Sequence, residues 1–259
     1  MHKTQISKKL FLILIITSFS FIRCSNPSKN TLLDMNNVLM PSFEEIEYKR
    51  NSADTVKILI LGNSITSHGV AKDIGWTHKG GMAASSSDKD YVHLLFSEVS
   101  KINPDKYILF RYANYASLER SNDNLDISDP KLLELYKFKP KFLIYQLGDN
   151  VTESNSETFK NNSINILMKF KDSKTLVVSP FFENKLNLKI TKEIIKATKS
   201  KFIDIGPISR NEKFRANSDS SLNKKEWKVK GIGLHPGNNG MYQISKKLLA
   251  EINRVNYQQ

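Results

Sequence analysis

The stretch VKILILGNSIT, residues 56–66, decides the fold. The run at residues 56–61 is short, rich in β-branched residues and almost wholly apolar, which is typical of a strand buried on both faces of a parallel sheet. The stretch continues into Gly62-Asn63-Ser64. A serine on a tight turn after such a strand presents its hydroxyl at the carboxyl edge of the sheet, where open parallel sheets bind their ligands. Ser64 is therefore a candidate nucleophile, although Gly and Ser also occur in ordinary turns.

Further apolar runs alternate with helical periods along the rest of the chain. Strands are predicted at residues 107–112, 142–147, 175–178 and 202–205, and helices at 91–99, 156–171, 189–198 and 239–253. Alternating strands and helices pack most simply as a three-layer α/β/α sandwich. We therefore predict one flavodoxin-like domain over residues 55–259, with a mainly parallel sheet of about five strands.

Two more polar groups are expected at the same edge of the sheet. The third predicted strand is followed by Gly148-Asp149-Asn150, and an asparagine amide there either donates to an oxyanion or caps its own turn. His235 lies in GLHPGNNGM, residues 233–241, directly before the last helix. A histidine of near-neutral pKa is the usual base that activates a serine hydroxyl, although a single loop histidine is commonly a surface group.

Together these segments resemble the conserved blocks of the SGNH/GDSL hydrolase family. GNSIT is similar to the serine block, GDN to the third block and GLHP to the histidine block, while GW, residues 75–76, and GMAAS, residues 81–85, are similar to a bacterial subgroup. The resemblance implies ester hydrolysis or acyl transfer through an acyl-enzyme on Ser64, with His235 as base and then acid. It also implies an oxyanion hole formed by the backbone N–H of Ser64 together with Asn150 and Gly148, and it implies no cofactor.

The sequence departs from the family pattern at two positions. The acid that should stand three residues before His235 is replaced by Ile232. Either a backbone carbonyl or an acid from elsewhere must then orient the imidazole, and loss of that orientation can cost orders of magnitude in rate. The glycine expected in the second block is also missing, and the chain offers Ala116 or Glu119 nearby. The oxyanion hole thus either lacks one amide or uses a non-glycine one.

The long segment between the serine block and residue 89 has no helical or strand period, and loops of this length are often functional. We expect Trp76 to line the acyl or sugar pocket; the alternative is a structural role in pinning the loop. His68 is a candidate substrate contact; the alternative is an exposed loop histidine with no role in binding. Arg111 and Arg120 are candidates for binding an anionic substrate. The histidines lack ligand spacing, so no metal site is predicted.

The N-terminal 24 residues resemble a signal peptide. A basic start is followed by an apolar run at residues 10–22 that is too short and too polar at its end for a membrane span, and the only cysteine, Cys24, follows it in a lipobox-like context. We expect Cys24 to carry a lipid anchor; the alternative is a plain secretory signal with an incidental cysteine. In either case we expect the protein to be extracytoplasmic. Residues 25–54, rich in Asn and Ser, are predicted to be a tether with some packed pieces.

The chain has 259 residues and a net charge of +13, of which nine lie beyond the signal segment. The lysines are scattered without an aromatic-interleaved nucleic-acid motif, so we predict solvated faces and no nucleic-acid partner. The expected partner is a small-molecule or glycan ester. The alternatives are an O-acyltransferase and a non-catalytic surface lipoprotein that binds glycan or protein.

Overall fold

The computed structural model of the chain describes residues 40–49, 51–222 and 227–256. The predicted signal peptide, Cys24 and most of the predicted tether lie outside the described residues. In the described part of the chain, no helix is long and apolar enough to cross a membrane.

One six-stranded sheet forms the centre of the fold. Its order is β1-β3-β2-β4-β5-β6, with β1 Glu44–Tyr48, β2 Thr55–Gly62, β3 Tyr107–Asn114, β4 Phe142–Gln146, β5 Lys174–Val178 and β6 Lys201–Ile203. Strands β2 to β6 are parallel, and β2 pairs with both β3 and β4. The apolar stretch that begins at Val56 is thus a central strand.

Strand β1 lies before the predicted start of the domain at residue 55 and adds a sixth strand to the sheet. It pairs antiparallel with β3, with Glu44 opposite Tyr112 and Tyr48 opposite Ile108. Its sequence, EEIEY, has only one aliphatic residue because this edge strand is mostly solvent-exposed. An edge strand of this composition has none of the apolar character that identifies a buried strand, so part of the predicted tether belongs to the sheet.

The helices cover both faces of the sheet. They are α1 Tyr91–Ile102, α2 Ala116–Arg120, α3 Pro130–Lys137, α4 Ser156–Lys169, α5 Lys185–Thr198, α6 Gly206–Ser209 and α7 Asn238–Asn256. On one face, α1 and α7 pack on residues such as Ile58 and Phe110; on the other, α3, α4 and α5 pack on residues such as Leu59 and Leu143. Alternate residues of β2 thus enter opposite cores, as expected in a three-layer sandwich.

The predicted long helices and strands are present, and their ends differ for local reasons. Helix α5 begins four residues earlier than predicted because the Asn184 side chain accepts from the N–H of Asn187 as an N-cap. Strand β6 ends early because the side chain of Asp204 accepts from the N–H of Gly206 at the start of α6. Helix α1 begins where predicted, with Asp90 as its cap.

Candidate active site

The turn after β2 places Ser64 at the carboxyl edge of the sheet. Gly62 is required there because a Cβ atom would collide with the Thr66 side chain. Asn63 shapes the turn: its side-chain oxygen accepts from the N–H of Ile65 at 3.1 Å, and its backbone carbonyl accepts from the N–H groups of Thr66 and Ser67. Ser64 is half-buried on this rigid turn, so its hydroxyl has a defined position.

His235 reaches Ser64 from the other end of the sequence. Its Nε2 atom lies 3.2 Å from the Ser64 Oγ, and its Nδ1 atom lies 3.0 Å from the carbonyl oxygen of Gly231. A carbonyl can only accept, so Nδ1 carries the proton and Nε2 presents its lone pair to the serine hydroxyl. The structure therefore brings the two residues together, with the ring in the tautomer that a general base needs.

A backbone carbonyl takes the place of the acid that the sequence lacks. The short 3₁₀ turn Ile232–Leu234 bends the chain so that the Gly231 carbonyl points back at His235. Ile232 itself is buried against Met82 and Ala83. A buried acid of the same region, Asp219, accepts from the backbone and side chain of Asn239 at the start of α7 and so has a structural role.

The surroundings of His235 favour its neutral form. Burial lowers the pKa of His235 to about 4, and the nearby His68 adds to this effect. The ring of Phe182 meets the imidazole edge-on, with centroids 5.1 Å apart. His235 is therefore neutral at pH 7 and has its Nε2 lone pair available to accept the serine proton.

The oxyanion side of the site differs from the prediction at Gly148. Gly148 has a φ of +131°, a conformation that glycine adopts and other residues avoid. Its N–H donates to the Glu119 side chain at 2.5 Å, so this amide is occupied and does not point to a substrate. The backbone N–H of Ser64, by contrast, donates to no group in the described residues and is free for an oxyanion.

Asn150 lies on the same turn but is also held by Glu119. Its Nδ2 atom donates to the Glu119 carboxylate at 2.5 Å, and its Oδ1 atom accepts from Arg120 at 3.0 Å. An amide nitrogen carries two hydrogens, so one N–H of Asn150 remains for a ligand. The oxyanion role of Asn150 stays a prediction, and one of its two amide hydrogens is available for it.

Glu119, which the sequence offered only as a possible amide of the oxyanion hole, is the central acid of the site. It is fully buried, and it accepts hydrogen bonds from Asn63, Gly148, Asp149 and Asn150. Burial, together with the charge of Asp149, raises its pKa to about 7. All four of these groups donate to Glu119, and this pattern suits the ionised carboxylate.

Asn63 joins Glu119 to a second, half-buried carboxylate. Its Nδ2 atom donates to Glu119 at 3.2 Å and to Asp149 at 2.9 Å. Asp149 also accepts from Gln146 and, at 2.7 Å, from the N–H of Phe182. An aspartate at position 63 would bring a third carboxylate into this cluster. Asn63, directly before Ser64, was the one feature of the sequence that could have indicated this cluster, because an amide side chain can donate to two carboxylates.

The position expected for the second-block glycine provides no free amide. The N–H of Ala116 donates to the Asn114 side chain at 3.0 Å, and Glu119 contributes its carboxylate rather than its N–H. Of the two alternatives drawn from the sequence, the structure therefore supports an oxyanion hole with one amide fewer.

The loop that follows Ser64 corrects the expectation for Trp76. Trp76 is 2% exposed, and its Nε1 atom donates to the carbonyl of His68 at 3.4 Å while its ring packs on His78. It therefore pins the loop, and it borders a cavity of about 200 Å³ with Trp227 and Lys228. The loop is also fixed to the nucleophile, because the N–H of Met82 donates to the Ser64 carbonyl at 2.8 Å.

The remaining candidates divide between the site and the scaffold. His68 is half-buried and close enough to His235 to affect its pKa, so it lies at the border of the site. Arg111 pairs with Glu45 of β1 at 2.6 Å and is structural, whereas Arg120 contacts Asn150. Among the described residues, no group of three or more His, Cys, Asp or Glu side chains is arranged to hold a metal ion.

Comparison with solved structures confirms the fold class. A two-domain esterase active on acetylated mannans has a TM-score of 0.50 at 15% identity, covering 78% of this chain and 51% of that one. This chain thus spans about half the length of that esterase. A protein named as a GDSL-like lipase from Parabacteroides merdae (TM-score 0.45, 14% identity, 77% and 100% coverage) and a family two carbohydrate esterase from Cellvibrio japonicus (0.44, 13%, 77% and 61%) are further structures found. No protein-family model and no curated protein matches the chain. The fold is the one that the SGNH/GDSL resemblance implied.

Proposed function

We propose that the protein is a serine esterase that hydrolyses short-chain acyl esters, with O-acetyl groups on glycans as the favoured substrate. The observation that carries this proposal is the contact of 3.2 Å between Ser64 Oγ and His235 Nε2, with Nδ1 of the same ring on the Gly231 carbonyl. A hydroxyl beside a neutral, oriented imidazole is the arrangement that nucleophilic catalysis requires.

The proposed reaction has two halves. Ser64 Oγ attacks the ester carbonyl carbon while its proton passes to His235 Nε2, and the negative oxygen is bound by the N–H of Ser64 and the remaining N–H of Asn150. Collapse of this intermediate breaks the bond to the alcohol, which takes the proton from His235. Water then attacks the acyl carbon while His235 Nε2 takes its proton. The bond to Ser64 Oγ breaks, Ser64 takes the proton back from His235, and the carboxylic acid leaves.

The glycan part of the proposal has weaker but independent support. The structural relative with the highest TM-score reported above is an esterase active on acetylated mannans. Acetate release from acetylated mannan and acetylated xylan, measured beside p-nitrophenyl acetate, tests substrate class separately from chemistry.

The location is proposed from the N-terminal sequence. A basic and apolar leader ending at Cys24 supports export and lipid attachment to a membrane outside the cytoplasm. The test is incorporation of labelled palmitate by the full-length chain and by Cys24→Ser. Label in the parent alone supports the anchor; label in neither indicates a secretory signal.

The first experiment is hydrolysis of p-nitrophenyl acetate by residues 25–259, with Ser64→Ala as the control. We expect activity in the parent and its loss in the variant. If acyl groups from a labelled donor instead appear on an added sugar and not in water, the protein is an O-acyltransferase. If the parent neither turns over nor reacts covalently at Ser64, the non-catalytic binding alternative replaces the proposal.

A further inference from the structure

The amino edge of the sheet, opposite the candidate active site, carries a row of lysines. Backbone hydrogen bonds join Lys141 to Lys57 at 2.8 Å and Lys174 to Lys141 at 2.9 Å, so these residues stand at the starts of three neighbouring strands. Lys201 continues the row at the start of β6. Neighbouring strands lie about 4.8 Å apart, so the row extends over about 15 Å.

A groove runs beside the first part of this row. It has a volume of about 550 Å³ and is bordered by four lysines and one acid: Lys57, Lys139, Lys141, Lys169 and Asp172. Among the described residues, none of these four lysines forms an ion pair. The hydroxyl of Tyr136, which also borders the groove, has no hydrogen-bond partner there. The groove therefore has four lysines that no acid neutralises in the described residues, and two of them, Lys57 and Lys141, lie over the rings of Phe138 and Phe142.

A second groove continues from the first, because Phe170 and Ser173 border both. It has a volume of about 490 Å³, and its cationic residues are Lys171, Lys174, Lys199, Lys201 and Arg254. Its only acid in the described residues, Glu251, is paired with Arg254 at 2.5 Å. Like charges gathered on one surface repel each other and are stabilised by an anionic partner.

We infer that these two grooves, here called the lysine grooves, form a binding site for an acidic polysaccharide. The site is concave and elongated, which fits an extended chain with repeated carboxylate or sulfate groups better than a flat bilayer. It also lacks an exposed aromatic face on which bases could stack, since Phe170 is 3% exposed and Tyr136 is half-buried. The inference does not depend on the proposed esterase activity.

The position of the lysine grooves separates them from the candidate active site. Strand β2 has eight residues between Thr55 at the amino edge and Gly62 near Ser64, a length of about 25 Å. A polysaccharide held in the grooves would therefore leave Ser64 open to substrate and would keep the protein on a glycan matrix.

The test compares two triple variants that lose the same charge. Lys139, Lys141 and Lys169 are changed to Gln in the grooves, and Lys185, Lys192 and Lys196 are changed to Gln on α5 as the control. All six lysines are exposed, so neither variant should disturb folding. Affinity electrophoresis of residues 25–259 in gels with polygalacturonate or dextran sulfate measures binding, with neutral dextran as the blank.

We expect the groove variant to bind either acidic polymer about tenfold or more weakly, and the control variant to bind within about twofold of the parent. Hydrolysis of p-nitrophenyl acetate should be equal in all three proteins if the esterase proposal holds, and the binding result stands without it. Equal weakening in both variants would show a general charge effect and overturn the inference. Groove-dependent binding to phosphatidylglycerol vesicles or single-stranded DNA, without binding to either polysaccharide, would also overturn it.

Discussion

The two sides of the candidate active site are built differently. The base side consists of Ser64, His235 and the Gly231 carbonyl, and its contacts match those that catalysis needs. On the oxyanion side, the Glu119 carboxylate occupies the N–H of Gly148 and one N–H of Asn150. A backbone carbonyl thus stands in place of the missing acid on one side, while a buried acid organises the other.

The largest effect is expected on the base side. His235→Ala leaves the Ser64 hydroxyl without a proton acceptor, and we expect kcat for p-nitrophenyl acetate to fall by about 10⁴-fold or more. Steady-state kinetics of the purified variant measure this. A loss below tenfold would mean that another group activates Ser64 and that the base side is wrongly assigned.

The next effect concerns the one free hydrogen of Asn150. Asn150→Ala removes a donor to the oxyanion, and we expect kcat to fall by about 10²-fold with KM little changed. Asn161→Ala, at an exposed position on α4, is the matched control. If KM rises and kcat stays constant, Asn150 binds the ground state and the oxyanion side needs another donor.

Glu119→Gln tests how the two sides depend on the buried carboxylate. The new amide NH₂ would face Nδ2 of Asn150, a donor against a donor, so Asn150 must turn away. We expect kcat to fall about 10- to 100-fold, the range seen when catalytic groups are misplaced by about 1 Å. Glu157→Gln, on the exposed start of α4, is the control. Unchanged kcat in Glu119→Gln would show that Glu119 only fills space.

The smallest effects are expected in the pH dependence. Because the pKa of His235 is lowered to about 4, the imidazole stays neutral above that pH. Protonation of His235 should therefore decrease kcat/KM only as the pH falls through about 4. Because the pKa of Glu119 is raised to about 7, its ionised form is lost as the pH falls through about 7, and a second, shallower decrease is expected there. Glu119→Gln should remove the decrease near pH 7 and leave the decrease near pH 4. If the decrease near pH 7 persists in this variant, a group other than Glu119 causes it.

Much of this site could be predicted from the sequence because its backbone positions follow from the strands. Ser64, Asn150 and His235 each follow or precede an element with a strong apolar period, so their meeting at one edge follows from the parallel sheet. The pairing of Ser64 with His235 needed no further information than that topology and the resemblance.

The rest depended on contacts that the sequence does not encode locally. Glu119 lies on a five-residue helix with no clear period, and only the fold brings it under Asn63 and Gly148. The Gly231 carbonyl could not be distinguished from any other backbone oxygen, because its direction results from the turn at Ile232–Leu234. Strand β1 was missed because charged edge strands resemble linkers.

The central claim is that Ser64 is an activated nucleophile, and its most direct test is covalent labelling. Residues 25–259 are treated with a fluorophosphonate at pH 8, beside His235→Ala and Ser128→Ala, and the modified peptide is identified by mass spectrometry. The account predicts rapid labelling of Ser64 in the parent and in Ser128→Ala, and labelling slowed by orders of magnitude in His235→Ala. Equal labelling rates in all three proteins, or no label on Ser64, would contradict it.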